Sequence, residues 1–184
     1  FEGGPPAEPS PTRAPAGISV LGPTTVVPAR PIRNVVIFGA GGPLAAVTAK
    51  ELASTYRLRL TDLRPLAEIV AEGKPQSAGA PLPNALSAPH DERRVDVTKL
   101  DQVMAACEGM DAVVNCTVLR HDPVRAFLVN FLGAYHVMRA AVAHGIKRVV
   151  HTGPQLVTMD RPAGYWWDFR VPDDAPPRPG DWLY

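Results

Sequence analysis

The residues best placed to do chemistry are seven in a row, Gly39-Ala40-Gly41-Gly42-Pro43-Leu44-Ala45, set between an apolar run and a stretch with helical spacing. A turn with few Cβ atoms lets the backbone approach a pyrophosphate closely. A helix N-terminus behind it offers unpaired N–H groups and a partial positive charge. Glycines alone are weak evidence, because many turns between a strand and a helix are glycine-rich. Asp62 adds weight: it ends the second apolar stretch twenty-three positions after Gly39, close to the spacing at which dinucleotide-binding folds place an acid that accepts from ribose hydroxyls. This pattern implies a dinucleotide site, with Gly39, Gly41, Gly42, Pro43 and Leu44 at the phosphates and Asp62, Leu63 and Arg64 at the adenosine end. A carboxylate at position 62 repels a 2′-phosphate, which favours NAD over NADP, although Arg64 offers a cation that could receive one.

Elements of alternating type must hold these residues. Asn34 to Phe38 (NVVIF) is a nearly continuous apolar run, as expected of a strand buried on both faces of a parallel sheet. A helix is expected over Pro43 to Tyr56, with Ala45, Ala49, Leu52, Ala53 and Tyr56 on one side and Pro43 in its first turn. Strands follow at Leu58 to Asp62, Arg94 to Val97, Ala112 to Cys116 and Val149 to Thr152. Between them come a helix from Leu100 to Glu108, ended by Gly109, and a long one from Pro123 to His144, ended by Gly145. The long helix carries an apolar stripe of Phe127, Phe131, Ala134, Met138 and Ala141, expected to face the core. Strands alternating with helices imply right-handed crossovers and a doubly wound α/β fold with a parallel sheet.

Composition bounds the rest. The 184 residues suffice for one ordinary domain. No stretch reaches the roughly eighteen uninterrupted apolar residues of a membrane span, so no membrane association is expected. A net charge of +1 supplies no field that would attract nucleic acid. Two cysteines, Cys107 and Cys116, fit a reducing, cytoplasmic setting. The five histidines have no metal-ligand spacing, and no metal is assigned. The excess is in proline, 21 residues, eight of them before residue 32. Residues 1–31 therefore read as an extended tail without the features of a signal peptide, and residues 32–184 as the folded domain, with irregular loops at 67–92 and 153–184. The start at Phe1 fits a processed product or part of a longer chain. Tyr165, Trp166, Trp167, Phe169 and Trp182 form an aromatic cluster near the other end, and Asp173-Asp174 reads as a solvated turn.

From about Arg33 to Tyr184 the chain resembles the extended short-chain dehydrogenase/reductases, the NAD-dependent epimerase/dehydratase group with a Rossmann fold. Its G-x-x-G-x-x-G turn is similar to Gly39, Gly42 and Ala45, with Ala in place of the third Gly. Asp96-Val97 resembles the family's adenine contact, and Cys116, Thr117 and Val118 stand where it has a small-residue loop beside the cofactor. VNFLGAYHVMRAAVAHGIKRVVHTG is similar to a further family segment, with Asn130 at its first asparagine and His136 replacing the second. Arg57 to Leu66 is most similar to uronate dehydrogenases.

The resemblance implies a tyrosine acting as general acid or base on a sugar hydroxyl or carbonyl, a lysine four residues later, and a Ser or Thr after the fifth strand. Tyr184 takes the tyrosine position, where the sequence stops, so the lysine and the C-terminal substrate-binding part are expected to be missing. Gly153 and Pro154 occupy the hydroxyl pair's place, and Thr152 is the nearest substitute. The implied function is the nucleotide-binding part of an NAD-dependent sugar or nucleotide-sugar epimerase, dehydratase or dehydrogenase, catalytic if the chain continues past Tyr184. The alternative is a catalytically disabled nucleotide-binding subunit with a regulatory or structural role. Family members often dimerise through the helix matching Pro123 to His144, so a homodimer is also expected.

Overall fold

The computed structural model describes residues 31–75, 79–120 and 122–153. The proline-rich tail, Tyr184, the aromatic cluster, Asp173-Asp174 and His121 lie outside the described residues. Strand β1 (Asn34–Phe38) is buried from Val35 to Phe38, and its neighbours explain why. It sits at the centre of a five-stranded sheet of order β3-β2-β1-β4-β5, all pairs parallel, with β2 at Arg57–Asp62, β3 at Asp91–Arg94, β4 at Ala112–Asn115 and β5 at Arg148–His151. Alternate residues of β1 serve opposite faces. Val35 and Ile37 pack with Ala45 and Ala49 of α1 (Pro43–Leu52) and Leu66 of α2 (Leu66–Glu72). Val36 and Phe38 pack with Val103, Ala106 and Cys107 of α3 (Leu100–Cys107) and with Val137, Ala140 and Ala141 of α4 (Pro123–Ala143). The doubly wound parallel α/β fold expected from the alternation is the observed one.

Helix α1 stops at Leu52 rather than Tyr56, and four larger expectations need correction. The third strand is Asp91–Arg94, not Arg94 to Val97. Its four residues are all charged, as an edge strand allows, and it is defined by its backbone pairing with β2 rather than by an apolar run. Val95 and Val97 are buried after the chain has left the sheet. The stretch from 67 is not all irregular: Leu66–Glu72 forms α2, ended by Gly73 in the left-handed region at φ +59°.

The third correction concerns the long helix. Phe127, Phe131 and Met138 point outward, with Phe131 63% exposed, and the buried face is the small one, Ala126, Gly133, Val137, Ala140 and Ala141 with His136. A helix laid on a parallel sheet approaches closely on small residues. Phe127–Gly133 within it winds as π-helix, and the Phe127 and Phe131 rings stack 5.0 Å apart. The fourth is the membrane criterion. Pro123–Ala143, 21 residues of mean hydropathy 1.3, is long and apolar enough to cross a bilayer, a property the search for uninterrupted apolar runs missed. Its buried face belongs to the core beneath the sheet.

A buried cation ties the edge to the layer below. Arg59 of β2 pairs through Nε with Asp91 of β3 at 3.2 Å and donates from Nη1 to the carbonyls of Ala106 and Glu108, both at 2.9 Å, at the end of α3.

Candidate functional site

All five strands are parallel and run the same way, so their carboxyl ends open on one side of the sheet. The order reverses at β1, which is the position where such sheets form a crevice. A cavity of about 980 Å³ occupies it. From β1 the chain enters the glycine turn. Gly39 has φ +76°, and a Cβ there would lie 2.9 Å from the Cys116 carbonyl carbon and the Thr117 nitrogen. The turn from β1 therefore presses against the exit of β4, and only glycine permits it. Gly42 caps α1 without offering a side chain to its first-turn N–H groups, and Pro43 opens the helix. An anion in the cavity would meet those donors and the positive end of α1.

Asp62 at the tip of β2 closes the turn from the other side. Its Oδ2 accepts from Gly41 N–H at 2.8 Å and its Oδ1 from Arg64 N–H at 3.3 Å. A carboxylate has about four acceptor positions, so capacity remains for ribose hydroxyls. Gly41 itself does not line the cavity. Its role is the bond to Asp62 and the close fit of α2, since a Cβ there would come within 2.4 Å of Ile69 Cδ1.

The other expected cofactor residues, Gly39, Gly42, Pro43, Leu44, Asp62, Leu63, Arg64, Asp96, Val97, Cys116, Thr117, Val118 and Asn130, all line the same cavity. Asp96 Oδ1 accepts from both the N–H and the hydroxyl of Thr98, at 2.9 and 2.7 Å, which sets the turn after β3. The Asn130 amide is used at both ends on one residue, accepting from Leu119 N–H at 2.8 Å and donating to the Leu119 carbonyl at 2.9 Å. It shapes the loop between β4 and α4 from the π-helical segment. His136 Nδ1 lies 2.9 Å from the Val97 carbonyl, where it donates, and holds the loop that follows β3.

Asn115, fully buried at the end of β4, was not singled out by the sequence, where it reads as one more strand residue. Its Oδ1 accepts from the Thr117 N–H and hydroxyl at 3.1 and 2.8 Å. With that oxygen engaged, its Nδ2 donates to His151 Nδ1 at 2.9 Å. Its carbonyl accepts from both Thr152 N–H and Thr152 Oγ1. The Thr152 hydroxyl, expected as a substrate-orienting group, does line the cavity, but its proton is committed at 3.1 Å to that carbonyl. It can accept from a substrate and not donate to one. Tyr184 cannot be placed, being outside the described residues.

Charge is mixed along the cavity: Asp62, Arg64 and Asp96 lie on the β2 and β3 side of the glycine turn, and Arg120 and Arg125 lie beyond β4. Cys116 lines the cavity with its thiol pushed up in pKa by burial, which disfavours the nucleophilic thiolate. Burial likewise pushes the Cys107 thiol, in the core, up to about 11.

No family model matches the chain. It is 27% identical over 158 residues to a uronate dehydrogenase of Pseudomonas syringae pv. tomato, a match covering 84% of this chain and 50% of that protein. Among solved structures, a mutated uronate dehydrogenase superposes with a TM-score of 0.62 at 24% identity, over 83% of this chain and 49% of that one. A UDP-glucose 4-epimerase of Thermus thermophilus, in complex with NAD, superposes with a TM-score of 0.58 at 21% identity, over 79% and 44%. The chain thus spans about half the length of the curated relatives it matches. The similarity to the epimerase/dehydratase group, and within it to uronate dehydrogenases, is the one its motifs led us to expect.

Proposed function

We propose that this chain is the dinucleotide-binding part of an NAD-dependent sugar oxidoreductase, and that its substrate class is a sugar acid of the uronate kind. The observation that carries the cofactor reading is the Asp62 carboxylate, held 2.8 Å from Gly41 N at the mouth of a helix whose first turn no side chain caps. Glycines 39 and 42 leave the space and the N–H groups for a pyrophosphate, and Asp62 keeps acceptors for ribose hydroxyls. NAD, when bound, would supply a hydride acceptor. The chain's own residues bind and orient: Asp96 and Val97 flank the adenine side, and Asn130 fixes the Leu119 backbone along the far wall.

The substrate reading draws on the similarity to uronate dehydrogenases and on Arg120 and Arg125, cations on the side of the cavity beyond the phosphates, suited to a carboxylate. Tyr184 is the proposed acid or base, with Thr152 accepting a hydrogen bond from the sugar. Reduced cysteines at 107 and 116 accord with a cytoplasmic setting, and the exposed aromatic face of α4 offers a surface for a homodimer. The relatives lend no support to the alternative of a catalytically disabled subunit.

Calorimetric titration with NAD and NADP tests the cofactor. Saturable heat with NAD is expected, with weaker NADP binding, and no heat with either refutes the site. For the substrate, the protein that carries this chain should reduce NAD when given uronic acids and not when given the corresponding neutral sugars. Equal rates would remove the role of the two arginines.

A further inference from the structure

Glu72 stands where a helix is least served by an acid. It is the last residue of α2, its charge opposes the helix dipole, and no base lies in that last turn. Its partner is eight positions back and outside the helix. Arg64 Nη1 donates to Glu72 Oε2 at 3.2 Å, and Arg64 Nη2 pairs with Glu72 Oε1, which makes a two-pronged fork. Arg64 lines the cavity next to Asp62 and Leu63, at the end assigned to the adenosine ribose. Glu72 thus holds the guanidinium of Arg64, the cation that lines the cavity at this end.

The consequence concerns the difference between NAD and NADP, which is one phosphate on that ribose. A 2′-phosphate entering beside Asp62 needs a cation to offset carboxylate repulsion. We propose that Glu72 determines nucleotide choice by occupying the guanidinium of Arg64, so that Asp62 repels the phosphate while the nearby cation is kept from receiving it. The inference rests on reading the cavity as a dinucleotide site. The ion pair raises the pKa of Arg64 and lowers that of Glu72 through their mutual hydrogen bond, and Glu68 and Asp62 add further negative charge around the same guanidinium. Both partners are about half exposed, so once Glu72 is neutral the Arg64 guanidinium can turn to a phosphate.

The test compares the protein that carries this chain with its Glu72→Gln variant and with the double variant Glu72→Gln/Arg64→Ala, titrating NAD and NADP by calorimetry and checking folding by melting temperature. Removing an acid from the end of a helix does not threaten the fold, and Glu72→Ala serves as a second version of the same change. Glu72→Gln should raise NADP affinity relative to NAD about fivefold, and the double variant should lose that gain. An unchanged ratio in Glu72→Gln, with NAD still bound, overturns the role of Glu72 alone. A gain that persists without Arg64 also overturns it, since removal of negative charge would then suffice. Failure of the unaltered protein to bind either nucleotide overturns the cofactor reading itself, and the inference with it.

Discussion

Asp62 serves two purposes with one carboxylate, closing the glycine turn through Gly41 and presenting acceptors to the cavity. Asp62→Ala should therefore raise the NAD dissociation constant about tenfold, because hydrogen bonds to charged groups contribute roughly 1.5–3 kcal/mol. Calorimetry checks this, and an unchanged constant would remove Asp62 from the site. Gly39 has no such freedom to vary. Its positive φ and the 2.9 Å approach to the β4 exit mean that Gly39→Ala should cost about 2–3 kcal/mol. A thermal melt lowered by several degrees is the expected reading. The cysteines give a prediction in pH. Burial raises the Cys107 pKa to about 11, so its thiolate is scarce at pH 8 and grows as pH climbs toward 11. Alkylation of Cys107 in the folded protein should accordingly be slow at pH 8 and accelerate with pH, whereas the urea-unfolded chain should react at once at pH 9. Fast labelling of native Cys107 at pH 8 would contradict the burial.

At the scale of elements, the loops leaving β4 and β5 hang on Asn115. Replacing it with Ala leaves the Thr117 N–H without its acceptor and His151 without its donor, a loss of about 2–3 kcal/mol expected in denaturant melts, together with weaker NAD binding. The glycine turn and β1 were legible because their chemistry is local: an apolar run, then residues that only a close backbone approach explains. Asn115 was not, because its importance lies in which strand runs alongside it. Strand β3 was displaced by three residues for a related reason. RVDV has the alternation of a strand, but Asp91–Arg94 has the partner. Helix α2 had its stop signal in Gly73, yet the prolines that follow from Pro75 drew the whole stretch into a loop reading. On α4 the period was right and the face right only at Ala141, because large aromatics suggest a core while close packing on a sheet selects Gly133, Ala140 and Ala141. Gly133 shows how tight that packing is, with a Cβ there reaching 2.7 Å from Val97 Cγ2.

For the molecule as a whole, the outward face of α4 is the surface that invites company. Val124, Phe127, Phe131, Tyr135 and Val142 are all more than half exposed along one helix. If this face joins two copies, Phe127→Asp with Phe131→Asp should halve the mass seen by sedimentation and leave the circular dichroism spectrum in place. A monomeric parent protein would refute the homodimer. The sheet's two borders differ in a way that matters for handling the protein. On one side the charges of Asp91, Glu92, Arg93 and Arg94 discourage a stranger from pairing. On the other, β5 ends the described sheet with Val150 half exposed, and among the described residues no strand covers it. Among the described residues, then, the β3 border repels an incoming strand, whereas β5, with Val149 and Val150 at its centre, is the border on which a further strand, of this chain or another, can pair.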